Sequence, residues 1–285
     1  MFVCVNGERL FFDIEGAGLV PDGPVMRTKP TLVLLHGGPG FDHSAFKPTF
    51  STLADIAQII YLDHRGNGRS TGSDPRSWTL AQWADDVKGL CDALGIERPV
   101  VFGMSFGGFV AQAYATRYPD HPAKLILAST AAHVDFDEIF EAFERIGGAK
   151  VRQIAENYWR DPTPERRAKY IEICVPLYRA HPSADSDWIK RAIIKNDVAI
   201  WFNGPRNEHG RMDFRAALSQ IKCPVLVMAG DRDPITPAIF SERIAASLPP
   251  DLVRFERFTD CGHGVVPDDP EKALGRVREF ILSTR

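Results

Sequence analysis

The sequence predicts an α/β fold: a mostly parallel sheet with helices on both faces and an inserted helical cap. Short apolar runs alternate with helical patterns through the first half of the chain, the rhythm of strand–helix–strand units. Several of the runs are apolar at every position, as suits strands covered on both faces. The alternation stops near residue 134 and resumes near residue 224.

Residues 3–5 and 9–14 flank Asn6-Gly7 and read as a pair of strands around a tight turn. Residues 31–35 form a short apolar run that ends at His36-Gly37-Gly38-Pro39-Gly40. A second run, 59–62, ends in Asp63-His64-Arg65-Gly66; a third, 100–102, ends at Gly103; a fourth is 125–127. Thr79-Leu80-Ala81-Gln82 fits a capping box, with threonine at N-cap and glutamine three residues on. Its helix should run to residue 94 and stop at Gly95. Residues 107–118 are small and apolar, then stop before Pro119. Residues 134–214 show no clear strand, are rich in aromatics and carry prolines that should cut them into short helices. A buried strand at 224–229, a helix at 238–248, a strand at 252–258 and a helix at 271–282 follow. The predicted organisation is therefore a core of residues 1–133 and 215–285 with a cap of residues 134–214.

At 285 residues, 44% hydrophobic and 25% charged, the composition is that of an ordinary globular chain. A formal charge of −3 gives no electrostatic reason to expect nucleic acid or an anionic membrane as partner. The N-terminal MFVCVNGERLFF lacks the pattern of a secretory signal, and no stretch reaches the roughly 20 apolar residues of a membrane span. The expectation is a soluble, cytoplasmic protein with a small-molecule partner. Cys4, Cys91, Cys174, Cys223 and Cys261 are scattered and form no C-x-x-C pair, which argues against a disulfide framework or a zinc site. Neither a metal nor a cofactor is expected. Cys261, near a candidate histidine, reads as a small residue in a tight loop.

A serine hydroxyl is a poor nucleophile unless a base takes its proton and an acceptor orients that base. Gly103-Met104-Ser105-Phe106-Gly107 is a G-x-S-x-G pattern that follows a strand and opens a helix, which lifts the serine above a sheet. Ser105 is the candidate nucleophile. The N–H of Phe106, at the helix start, is one candidate oxyanion donor. The second is the N–H of Gly38, in the glycine-rich loop after the 31–35 run, where His36 reads as a brace. The acid should follow a late strand, and Gly230-Asp231-Arg232-Asp233-Pro234 does. Asp233 is chosen because it lies further round the loop, leaving Asp231 to cap or to pair with Arg232. His263, between Gly262 and Gly264 after the next strand, is the candidate base. Serine, aspartate, histidine is a chain order in which this constellation is known to occur. The 63–70 loop reads as structural, its arginines pairing with acids. The aromatics of 134–214, Trp159 and Trp201 among them, either line an apolar acyl or leaving-group pocket or pack the cap's own core.

With these residues in hand, the chain resembles the α/β-hydrolase superfamily over essentially its whole length, and within it the prolyl iminopeptidase-like branch. The resemblance is carried by His36-Gly37-Gly38-Pro39-Gly40, Asp63-His64-Arg65-Gly66-Asn67-Gly68-Arg69-Ser70, Gly103-Met104-Ser105-Phe106-Gly107-Gly108 and Asn203-Gly204-Pro205. It implies an α/β-hydrolase fold and serine hydrolysis of a small ester, lactone or amide. Iminopeptidases hold a substrate amine with acids; the resemblance offers Glu208 for one of them, but Pro234 stands at the position of the other. The alternatives are a proline iminopeptidase and a non-catalytic ligand-binding relative.

Overall fold

The computed structural model describes residues 1–181 and 188–284. Strands β1 (Phe2–Val5) and β2 (Glu8–Glu15) form a hairpin whose turn residues, Asn6 and Gly7, both have positive φ, as a two-residue turn of this kind requires. A second hairpin, β3 (Leu19–Asp22) and β4 (Val25–Thr28), forms a separate two-stranded sheet. The sequence reading missed it. Both strands are short and mostly exposed, so no alternation betrays them, and Gly16, Gly18, Pro21, Gly23 and Pro24 read as loop.

The core strands are β5 (Thr31–Leu35), β6 (Gln58–Leu62), β7 (Val100–Met104), β8 (Lys124–Ala128), β9 (Val225–Gly230) and β10 (Val253–Phe258). With β1 and β2 they make an eight-stranded sheet in the order β1-β2-β6-β5-β7-β8-β9-β10. β1 and β2 are antiparallel additions at one edge; the other pairings are parallel. Leu32, Leu34, Phe102, Ile126 and Met228 pack on one face, and Val33, Leu35, Val101, Leu127 and Val227 on the other. The period-two split explains why these runs are apolar throughout.

Helix α1 (Leu80–Ala93) buries Leu80, Trp83, Ala84, Val87, Leu90 and Cys91, one stripe at helical spacing. Thr79 caps it, accepting from the Gln82 N–H at 3.2 Å, and Gly95 follows with φ 67°. The capping box is only half made, because the Gln82 side chain donates to Asp86 instead. α2 (Phe106–Arg117) is buried nearly all round and has no polar face to find by periodicity.

Between β8 and β9 the chain runs through α3 (Phe136–Arg160), α4 (Pro164–Ile173), α5 (Trp188–Arg191), α6 (Asn196–Phe202) and α7 (Glu208–Arg211). α3 is longer than the proline-cut pieces expected, 25 residues, and is broken at Gly148 (φ 78°) rather than at a proline. The part of the expected cap at residues 182–187 lies outside the described residues. After β9 come α8 (Ala238–Ser247), β10, α9 (Val265–Asp268) and α10 (Pro270–Leu282). Among the described residues no helix is long and apolar enough to cross a membrane.

β5 is followed by β6 on one side and, later, by β7 on the other, so the connections leave the sheet in opposite directions between β5 and β7. A crevice opens at such a switch point, beyond the strands' C-terminal ends. The loops that begin at His36 and Ser105 both start there, with Leu35 paired to Gly103.

Candidate active site

Ser105 sits between β7 and α2 at φ 54° and ψ −120°, a backbone conformation that costs a non-glycine residue free energy. The surroundings hold it there. Its N–H donates to Ala128 O at 3.0 Å, and its carbonyl accepts from Thr130 Oγ1 at 2.8 Å and from the Gly108 N–H at 2.8 Å. The turn is tight enough that a Cβ on Gly107 would lie 2.0 Å from Leu35 O, so only glycine fits.

Ser105 Oγ lies 2.9 Å from His263 Nε2, and His263 Nδ1 lies 2.8 Å from Asp233 Oδ2. The three residues proposed from sequence are thus brought into one hydrogen-bonded row. Nδ1 carries the proton in this arrangement, because the carboxylate can only accept. Asp233 is buried, and its other bonds fix it: Oδ1 accepts from the Ile235 and Thr236 N–H groups, both at 2.8 Å, and Oδ2 accepts from Thr236 Oγ1 at 2.7 Å. Asp231 faces outward and pairs with Arg257, while Arg232 pairs with Asp260 at 2.7 Å. The partner expected for Asp231 was Arg232; the strand-end arginine reaches it instead.

His263 is held through its backbone and its ring. Its N–H donates to Tyr178 O at 2.6 Å, and its ring stands edge-on to the Tyr178 ring with centroids 4.9 Å apart. Asp268 Oδ2 accepts from the Gly262 N–H at 2.7 Å and from the Ala180 N–H at 3.0 Å, tying the histidine loop to the helical segment. Cys261 is buried, and burial, followed by the charges of Asp268 and Asp269, pushes its thiol up to about 11. It is therefore a thiol and not a thiolate at neutral pH.

Gly38 has φ 55°, the left-handed region that glycine tolerates, and both Gly38 and Phe106 line the cavity beside Ser105. His36 braces this loop. Its Nε2 accepts from the His64 N–H at 3.2 Å and its Nδ1 donates to Gly37 O at 3.0 Å. Burial lowers its pKa and keeps the ring neutral, as those two bonds require. The 63–70 loop supports the same region. Asn67 Oδ1 accepts from the Gly40 N–H at 2.6 Å, and Arg69 pairs with Asp42 at 2.9 Å. Arg65 holds Asp86 through two 2.7 Å bonds. Burial alone would raise the Asp63 carboxyl, but the His43 imidazole at 2.6 Å outweighs it and holds the pKa at about 2.

The crevice is a cavity of about 700 Å³. Its wall includes Gly38, Ser105, Phe106 and His263 beside Trp159, Tyr170 and Trp188 from the helical segment. Trp201 and Glu208 stand outside the wall. Trp201 is half exposed and packs edge-on to Trp78. Glu208 accepts from the Leu80 N–H at 3.0 Å, at the start of α1. The sequence reading does not single out Thr236, Asp268 or Arg167, whereas Tyr178 belongs to the aromatics offered for the pocket and His209, read as a surface or packing residue, packs among aromatic rings. Of the first three only Thr236 carried a local signal, a hydroxyl three residues after an aspartate in a loop.

Three comparisons bear on this geometry. The family model described as alpha/beta hydrolase fold matches residues 30–270. The chain is 28% identical over 258 residues to the proline iminopeptidase PfmaB of Pestalotiopsis fici, covering 87% of each chain. It is 32% identical over 289 residues to the 2-hydroxy-6-oxononadienedioate/2-hydroxy-6-oxononatrienedioate hydrolase of Paraburkholderia phymatum, covering 96% of this chain and 91% of that one. Among solved structures, a thermophilic esterase from Thermogutta terrifontis superposes with a TM-score of 0.69 at 28% identity, over 98% of this chain and 96% of that one.

Proposed function

Since the chain belongs to the α/β-hydrolase family, we propose that it is a serine hydrolase that cleaves a small carboxylic ester, lactone or amide through an acyl-enzyme. The observation that carries the reading is the row Ser105 Oγ, His263, Asp233, with spacings of 2.9 Å and 2.8 Å, beside a cavity of about 700 Å³ that Ser105 and His263 line. Ser105 Oγ bonds to the carbonyl carbon as His263 Nε2 takes its proton, and Asp233 stabilises the imidazolium. The Gly38 and Phe106 N–H groups receive the oxyanion. His263 then protonates the leaving oxygen or nitrogen as its bond to carbon breaks. Water, deprotonated by His263, attacks the acyl carbon, and Ser105 leaves with the returned proton. No step calls for a cofactor.

Residues 134–214 act, in this reading, as a cap that supplies the pocket's aromatic side, with Trp159 at the acyl or leaving group. A cytoplasmic setting is supported by the free state of all five cysteines. Removal of N-terminal proline is the second reading, favoured by the iminopeptidase relative. Against it, the Glu208 carboxylate is engaged at Leu80 and Pro234 offers no acid, so the substrate's ammonium would lack its partners.

A fluorophosphonate probe tests the nucleophile. Wild-type protein should be labelled and Ser105→Ala should not. Equal labelling of the two, or none of the wild type, would overturn the assignment, and the latter would favour a non-catalytic ligand-binding role. A panel of acyl, lactone and prolyl reporters separates the two enzymatic readings, because strong preference for a free N-terminal proline supports only the second.

A further inference from the structure

Arg167, on α4, stands in the wall of the cavity that contains Ser105, and it is only 6% exposed. Its Nε donates to Asn196 Oδ1 at 2.8 Å and its Nη1 to Tyr158 Oη at 3.2 Å. Its guanidinium carbon lies 5.7 Å from the centre of the Phe41 ring. Nη2 is buried and has no hydrogen-bond partner. Among the described residues, only neutral oxygens accept from Arg167.

This is an expensive way to keep a cation. A guanidinium stays charged, and burying a charge without a counter-ion is strongly unfavourable. The other charges at the wall are answered. Asp42 accepts from Arg69 Nη1 at 2.9 Å and from the Ser44 N–H at 3.0 Å. Arg179 faces Asp268 at 3.8 Å, and His181 faces Asp260 at 2.9 Å. Of the five N–H groups of a guanidinium, Arg167 uses two in these bonds. Those that remain suit a carboxylate, whose two oxygens match the planar fork.

We propose that Arg167 is a specificity residue that receives a free carboxylate carried by the substrate, so that the preferred substrate is an ester, lactone or amide bearing a second, ionised acid group. A monoanion fits better than a phosphate dianion, because a single guanidinium would leave the second charge unanswered in an otherwise apolar wall. The same cation repels an N-terminal ammonium, which separates this chain further from iminopeptidase chemistry. The proposal rests on the hydrolase reading and names its substrate class.

The test compares two 4-nitrophenyl esters, the monoester of glutaric acid and the same compound with its free acid methylated, each normalised to its own hydroxide-catalysed rate. Wild-type kcat/KM should favour the free acid by about tenfold or more, the worth of one charged hydrogen bond. In Arg167→Gln the ratio should fall toward one; Arg167→Lys should keep part of it. A wild-type ratio at or below one overturns the proposal without reference to any variant, and so does a ratio that survives in folded Arg167→Gln. Glutarate binding to Ser105→Ala, measured by calorimetry with and without Arg167→Gln, is read independently of turnover. Binding that depends on Arg167 in a protein that hydrolyses neither ester would support the carboxylate site and sink the hydrolase reading. Turnover of both esters with no preference would do the reverse.

Discussion

Replacing His209 with glutamine should remove a calculable part of the protein's sensitivity to acid. The His209 ring is packed among Phe109, Phe136, Trp159 and Phe202, with ring centroids 5.5, 5.5, 5.1 and 5.6 Å away, and its Nδ1 has no partner. Burial pushes its pKa down from 6.5 to about 3. In the unfolded chain the same imidazole takes up a proton near its ordinary value. At pH 5 the unfolded state therefore holds a proton that the folded state refuses. The stabilisation from keeping this ring neutral is fully present above the unfolded value and is lost as pH falls toward the folded one. Between pH 7.5 and pH 5 the loss is about 2 kcal/mol, from about 1.4 kcal/mol per pH unit over the interval below the unfolded pKa. Urea unfolding of the wild type and His209→Gln at both pH values measures it. The variant will be less stable at each pH because its packing is poorer, but its loss on acidification should be smaller by about 2 kcal/mol. His36 and His64, both lowered by burial, titrate in both proteins and cancel in the comparison. Equal losses in the two proteins would refute the reasoning.

Asp233→Asn keeps an oxygen for the Ile235 and Thr236 N–H groups but no longer fixes the His263 tautomer; kcat should fall by about three to four orders of magnitude while the melting temperature changes little, as stopped assays and calorimetry will show. Thr236→Val removes one of the two donors to Asp233 Oδ2, leaving His263 Nδ1, and should cost about 1.5–3 kcal/mol of stability in denaturant titrations, the range for one hydrogen bond to a carboxylate. Gly107→Ala forces a methyl group against the Leu35 carbonyl and should destabilise by more than about 3 kcal/mol or prevent folding; a soluble variant with a wild-type unfolding midpoint would contradict the close approach.

What the sequence disclosed and what it hid divide along the reach of each interaction. The central strands were legible because a strand covered on both faces must be apolar throughout, and most of them ended in a marked loop. Ser105, Asp233 and His263 were legible because each follows a strand and so arrives at the same end of the sheet. The β3–β4 hairpin was illegible because its strands bury almost nothing. Trp201 and Trp159 look alike in sequence, yet one is half exposed and the other lines the cavity. Glu208, which the resemblance offers to a substrate amine, instead finds an amide at Leu80, 128 positions away in the chain. Arg167 sits in the run Glu165-Arg166-Arg167, whose local pattern suggests solvent; only the packing of α4 on the cavity makes it a buried cation.

Asp268 joins two parts of the chain through a single oxygen, since Oδ2 accepts from both Gly262, beside His263, and Ala180, on the helical segment. Tyr178 adds a second tie between the same two pieces. Widening the cavity at residues 178–180, which line it, therefore pulls on the loop that holds His263. Under the proposed mechanism, substrate range and catalytic rate are coupled through this stretch. Variants that admit bulkier compounds by moving this stretch should arrive with a misaimed base, and selection for a new substrate has to restore its alignment in a second, separate change.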